Sequence, residues 1–356
     1  MLVNVQMLRA LAAFAVVLVH IEPLAVRAGL PERSLHFGTT GVDLFFVISG
    51  MIMVVTTADV RQTPLEFLRN RVTRIAPLYW SITLVVFAMA LLSPALLQST
   101  TADPVYLLKS LAFVPYVRAT GDVAPIVFVG WSLNIEMMFY LLFALGLLAR
   151  RRWIGVAATA LVLAASVLAG MWLKPKDPVL GFYTNPMMLE FAAGMALGLV
   201  LPRLRLGPRW RWIAAAAGAA AFVLMAATSA LWPGHRIWAV PVLALAVVAA
   251  AVAAERGGLV AGQRWILLGA ASYAVYLTHF FCTQTVIKTA EWLNLGPVLS
   301  VALIPVTFVA VGVVGVMTHR ALELPLTKLT RRLLDPGRSR PRASRAAPSW
   351  QGTPEA

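Results

Sequence analysis

Residues 3–22 read VNVQMLRALAAFAVVLVHIE. The stretch is long enough to cross a bilayer as a helix, since about 20 mostly apolar residues suffice. It lacks a basic leader and carries Arg9 inside its apolar run. It therefore reads as a retained first span and not as a cleaved signal. Nine more apolar stretches follow, at about 40–59, 75–95, 126–149, 153–173, 182–201, 212–231, 236–254, 265–288 and 298–318. In lipid each must satisfy its own backbone hydrogen bonds, so each is expected as a helix. The expected fold class is an all-α, polytopic integral membrane bundle of about ten transmembrane helices.

Composition agrees. Of 356 residues, 60% are hydrophobic and only 13% charged, and the mean hydropathy is +0.80. A soluble chain of this size needs far more polar surface, and a disordered chain far less apolar content. The single cysteine, Cys282, permits no intrachain disulfide and reads as a packing residue. The formal charge is +15, which in a soluble protein would suggest nucleic acid. Here the basic residues follow topology instead. One set of alternate connections, with the tail, carries 20 of them, and the opposite set carries 7. The rule that basic loops stay inside puts both termini in the cytoplasm, with no nucleic-acid partner. The expected division is a transmembrane domain over 1–327 and an Arg/Pro/Ser-rich, disordered cytoplasmic tail over 328–356. No internal repeat is visible. The longest outer connection, about 96–125, contains the amphipathic piece VYLLKSLAFVPY, suited to lie along the interface or roof a cavity.

Ionisable residues inside the spans cost about 2.5–3.5 kcal/mol each on insertion scales, so few persist without a partner or a task. Arg9 and His20 are eleven residues apart. On a helix that places them on one face, about 16 Å apart along the axis. Arg9 is either a functional cation at the cytoplasmic depth or a side chain snorkelling to inner headgroups. His20 is either a general base or an interface marker. Asp43 opens the second span, where it could orient an imidazolium or simply serve the helix start. Glu136 stands near mid-depth of the fourth span and calls for a partner, with Arg9 or a histidine the natural one. Trp131 and Tyr140 line the same cavity or pack. Glu190, with Asn185 near it, is a second buried acid. His279, with Tyr276 one turn away, is a catalyst or a satisfied packing or hydrogen-bonding group. Arg71 and Arg74, at i and i+3, form a fork for phosphate oxygens or meet lipid headgroups. No constellation has metal-ligand spacing, so no metal is expected.

Seven segments together resemble the membrane-bound acyltransferase-3 family, closest to its exopolysaccharide-modifying branch. They are VQMLRALAAFAVVLVH (5–20), GVDLFFVISGMIM (41–53), RVTRIAPLYW (71–80), GWSLNIEMMFYLLFAL (130–145), NPMMLEFAAGMALG (185–198), GAASYAVYLTHFF (269–281) and ELPLTK (323–328). The likeness covers roughly residues 1–330. The family's Arg, ten residues, His pattern falls on Arg9 and His20, and its Arg-x-x-Arg pattern on Arg71 and Arg74. The tail has no counterpart, and no attached periplasmic hydrolase-like domain is visible.

The resemblance implies O-acylation, and the Ala- and Arg-rich composition suits a bacterial inner membrane. An acyl group, expected to be acetyl, passes from cytoplasmic acyl-CoA to a sugar hydroxyl of an exopolysaccharide or its lipid-linked precursor. Acetyl-CoA is then a co-substrate and no cofactor is tightly bound. Arg71 and Arg74 face the CoA phosphates, His20 takes the hydroxyl proton, Arg9 stabilises charge or positions the donor, Glu136 orients one of them, and Asp43 is a weaker orienter. Trp131, Glu190, Tyr276 and His279 are weaker substrate contacts. An acyl-histidine relay through His20 is an alternative route. Three other functions stay open at this level: acylation of a small lipophilic natural product, a glycan transporter or flippase, and a non-catalytic scaffold. The transporter lacks the paired interrupted helices such folds use.

Overall fold

The computed structural model describes residues 2–58, 62–93, 100–201, 207–232 and 236–334. Among these the chain is helical, with one isolated antiparallel bridge, Val117 to Val123, in an outer loop. Among the described residues nine helical segments are long and apolar enough to cross a membrane. The protein is thus a multi-pass membrane bundle.

The first helix, α1 (Val3–His20), is followed by a short α2 (Glu22–Arg27) and by α3 (Thr40–Thr56). Helix α3 runs antiparallel to α1, because Gly38 and Gly41 lie directly on the backbone of Ala15 and Ala12. Helix α4 (Pro64–Leu92) begins eleven residues before the expected span. A capping box starts it: the Thr63 side chain accepts from Glu66 N at 3.2 Å, and Glu66 Oε2 accepts from Thr63 N at 3.0 Å. Residues 64–74, expected as loop, are therefore helix, and Arg71 and Arg74 project from one face.

Outside the bundle, α5 (Pro104–Leu111) is capped by Asp103. It lies against α4 through a 2.8 Å hydrogen bond from Trp80 Nε1 to Leu111 O. The segment expected to roof a cavity is thus a short helix and a folded return, held by Tyr79 stacked on Phe113 at 4.8 Å. Burial pushes the Tyr116 phenol above its ordinary pKa in this return.

Helices α6 (Trp131–Gly146) and α7 (Arg152–Leu173) form an antiparallel pair joined where Gly146 meets Gly155. The short α8 (Pro178–Tyr183) precedes α9 (Met188–Val200). The span expected over 182–201 is thus shorter than forecast. Pro186 restrains Asn185 from helical geometry, and the Asn185 side chain accepts from Met187 N at 3.0 Å. Thirteen residues rise only about 20 Å, less than the hydrocarbon thickness of about 30 Å. Helix α9 is instead a core element. It lies parallel to α3, and a Cβ on Gly50 or Gly194 would overlap the carbonyl oxygen of Phe191 or Val47 respectively.

Helices α10 (Arg211–Leu231) and α11 (Arg236–Arg256) pair next. The Glu255 carboxylate at the end of α11 accepts from Val3 N and Asn4 N, 2.8 Å each, and so caps the start of α1. Helix α12 (Gln263–Trp292) runs parallel to α1, with Gly269 against the Gln6 carbonyl. Helix α13 (Pro297–Thr318) returns and passes through a π-helical turn, His319–Glu323, into α14 (Leu324–Leu334). Residues 328–334, assigned above to a disordered tail, are helical, while residues 335–356 lie outside the described part. Arg69 Nη1 donates to Leu334 O at 3.4 Å, tying α14 to the start of α4. The starts of α1 and α4 and the end of α14 therefore share one face of the bundle.

Candidate functional site

Three helices bring the ionisable residues together. Arg9 from α1, Arg71 and Arg74 from α4, and Glu136 from α6 all line one cleft of about 790 Å³. Ser49 of α3 and Tyr140 of α6 complete its polar wall. Three guanidiniums thus face one carboxylate. Glu136 Oε1 accepts from Ser49 Oγ at 2.8 Å and from Tyr140 OH at 2.5 Å. These hydroxyls, and not a histidine, hold the carboxylate. Arg9 also stands within electrostatic reach of Arg74, Glu136 and Glu323. The Arg71 guanidinium lies 5.4 Å over the Phe67 ring, which fixes its stem.

The far end of the cleft is formed by Ser132 and Tyr276. Tyr276 OH donates to Val129 O at 2.9 Å and lies 2.7 Å from Ser132 Oγ. One turn beyond Tyr276 is His279, fully buried, its ring 5.9 Å from the tyrosine ring. Its Nδ1 lies 2.7 Å from Tyr276 O. A carbonyl only accepts, so Nδ1 carries the proton and Nε2 keeps its lone pair. Among the described residues Nε2 has no hydrogen-bond partner. The His20 ring stands 4.9 Å from the His279 ring. Phe128 and Phe280 close on His20 edge-on, at 6.4 and 5.9 Å.

Arg9 and His20 therefore serve two places. Arg9 belongs to the cleft, and His20 lies past Ser132 and Tyr276, toward a second chamber lined by Phe128 and Phe280. The rise of about 16 Å between them separates two stations on α1, and His20 is not among the described lining of either cavity. Of the other residues singled out, Tyr276 lines the cleft. Trp131 packs beside the core and stands outside it. Asp43 is buried in the first turn of α3 and Glu190 in the first turn of α9, where the helix dipole favours a carboxylate. Neither lines the cleft. Sequence reasoning did not single out Ser49 and Ser132. Small hydroxyl residues carry no signal in an apolar span, although Tyr140 at i+4 from Glu136 marks a shared face. Among the described residues no three metal-ligating side chains cluster.

A bundle of membrane helices enclosing a cationic cleft, with a close His20–His279 pair beyond Tyr276, suits an enzyme that binds an anionic ligand. The chain belongs to the acyltransferase-3 family: the model of its acyltransferase domain matches residues 2–317. It is an acyltransferase of the membrane. It is 35% identical over 305 residues to the exopolysaccharide production protein ExoZ of Rhizobium meliloti, covering 82% of this chain and 91% of that one. It is 28% identical over 222 residues to the peptidoglycan O-acetyltransferase OatA of Listeria monocytogenes, covering 56% of this chain and 34% of that one. No solved structure matches.

Proposed function

We propose that the chain is an O-acetyltransferase of a bacterial inner membrane with both termini in the cytoplasm. It moves acetyl from cytoplasmic acetyl-CoA to a sugar hydroxyl of an exopolysaccharide or its lipid-linked precursor. The observation that carries this reading is the convergence of Arg9, Arg71 and Arg74 on one cleft. Guanidiniums in such a cluster match the phosphates of CoA better than any uncharged ligand. The likeness to ExoZ and OatA supports the acyl group and the glycan acceptor.

The chemistry then divides along the path. Phosphates rest on the arginines, and the pantetheine arm runs past Ser49 and Glu136 toward Ser132 and Tyr276. His20 removes the proton from the acceptor hydroxyl as its oxygen attacks the thioester carbon. The new C–O bond forms, the C–S bond breaks, and the thiolate recovers the proton from His20. The Ser132 and Tyr276 hydroxyls stand nearer the reacting carbon than Arg9, so Arg9 positions the donor. His279 is a positioning residue, because its Nε2 lone pair can accept from one nitrogen of His20 and leave the other basic. Glu136 holds the arginine cluster together, and Asp43 and Glu190 are structural acids.

Incubating membranes that contain the protein with labelled acetyl-CoA and extracted glycan tests the reading. Label is expected in the glycan, released by mild base as an ester. Absence of label from the glycan in active membranes would return the chain to the transport or scaffold readings.

A further inference from the structure

The second chamber, a partly open cavity of about 1290 Å³, does not have His20 in its described lining and meets it only through Phe128 and Phe280. Two of its walls, Phe128 and Phe280, are the rings that touch His20. Phe281 adds a third aromatic wall, and Gln284 and Thr285 add hydrogen-bonding groups on one side of α12. Aromatic faces with a few converging polar groups are what a sugar ring needs. The chamber is also charged. Arg118 and Lys288 line it, and no acidic residue is among its described lining.

Arg118 is one of only 7 of the chain's 30 basic residues on the connections of this side, against 20 on the other side and tail, and Lys288 lies near the end of α12 on the same side. Retention of loops by basic charge acts at the opposite face. Arg118 is moreover fixed in place. Its Nη1 lies 3.6 Å from Asp122 Oδ2, and its guanidinium 5.7 Å from the Phe128 ring centre. Asp122 thus orients the arginine from outside the chamber, while Lys288 stands exposed one turn along α12 from Gln284.

We propose that this chamber is the acceptor site and that it takes an anionic glycan, one whose sugar lies close to a carboxylate or a diphosphate. The inference rests on the acyltransferase reading above and names its acceptor class. The sugar ring stacks on Phe128 and Phe280 with a hydroxyl at His20, and the oxyanion sits between Arg118 and Lys288. A carboxylate would belong to the glycan itself, and a diphosphate would belong to its lipid carrier.

The test is binding to the full chain in nanodiscs, with three probes of equal sugar length: a neutral oligosaccharide, one containing glucuronate, and one linked to a short prenyl diphosphate. At least one charged probe is expected to bind about tenfold more tightly than the neutral one. Lys288→Gln and, separately, Arg118→Gln should each erase most of that preference while CoA affinity stays at the wild-type value. The probe that gains identifies the source of the charge. Equal affinity for all three probes overturns the proposal. So does a preference that survives in both variants. Failure of the acyltransferase reading looks different: the charged preference would persist, but no acetyl would reach any probe.

Discussion

Replacing His20 by alanine is expected to lower acetyl transfer by about 10³-fold, in the range a general base contributes. Its ring touches His279, Phe128 and Phe280 at the end of α1, so the helix itself does not depend on it. The variant should insert, purify and bind CoA as the wild type does. The loss should fall on kcat, with the donor KM unchanged, because the imidazole stands beyond the cleft that holds the donor phosphates. Transfer within a few-fold of wild type would remove His20 from the chemistry and leave it as an interface residue.

The second large effect falls on the donor. Changing Arg71 and Arg74 together to alanine removes two of the three guanidiniums in the cleft. A charge-assisted hydrogen bond contributes about 1.5–3 kcal/mol, so loss of two should lower donor affinity by about 10²–10⁴-fold. Changing both to lysine keeps the positive charge on α4 but loses the planar fork, and an intermediate loss is expected. Calorimetry with CoA separates the cases. Unchanged affinity in the alanine variant would make the pair a topology signal alone, and full affinity in the lysine variant would make the fork geometry irrelevant.

The two effects differ in kind because the residues occupy two stations, the arginines in the cleft and His20 outside it. The spacing of Arg9 and His20 on α1 already fixed the separation of those stations. What the linear order left out is the partner of each. His20 meets His279 because α12 lies parallel to α1, and that register depends on Gly269 sitting against the Gln6 carbonyl. Nothing in the local pattern around residue 269 encodes which backbone it will touch. Glu136, by contrast, announced itself through the cost of a mid-membrane carboxylate, although its hydrogen bonds went to Ser49 and Tyr140.

The helices were legible for a similar reason. A run of about 20 apolar residues has one stable state in lipid, so the bounds of α7, α10 and α13 follow from hydropathy. The two departures occur where hydropathy is not the deciding force. Helix α4 extends through the arginine-rich stretch 64–74 because a capping box and side-chain spacing stabilise it. Helix α9 is short because Pro186 interrupts an apolar run, and it is held by the glycine contacts with α3 rather than by lipid.

Sidedness is the most direct measure of a path that joins a cytoplasmic donor to an acceptor on the far side. Sealed inside-out vesicles carrying the protein, with acceptor glycan enclosed and labelled acetyl-CoA added outside, should deposit label on the enclosed glycan. Right-side-out vesicles with the same additions should deposit none. Label appearing only when donor and acceptor share a compartment would contradict a transfer that runs from the arginine cleft to His20.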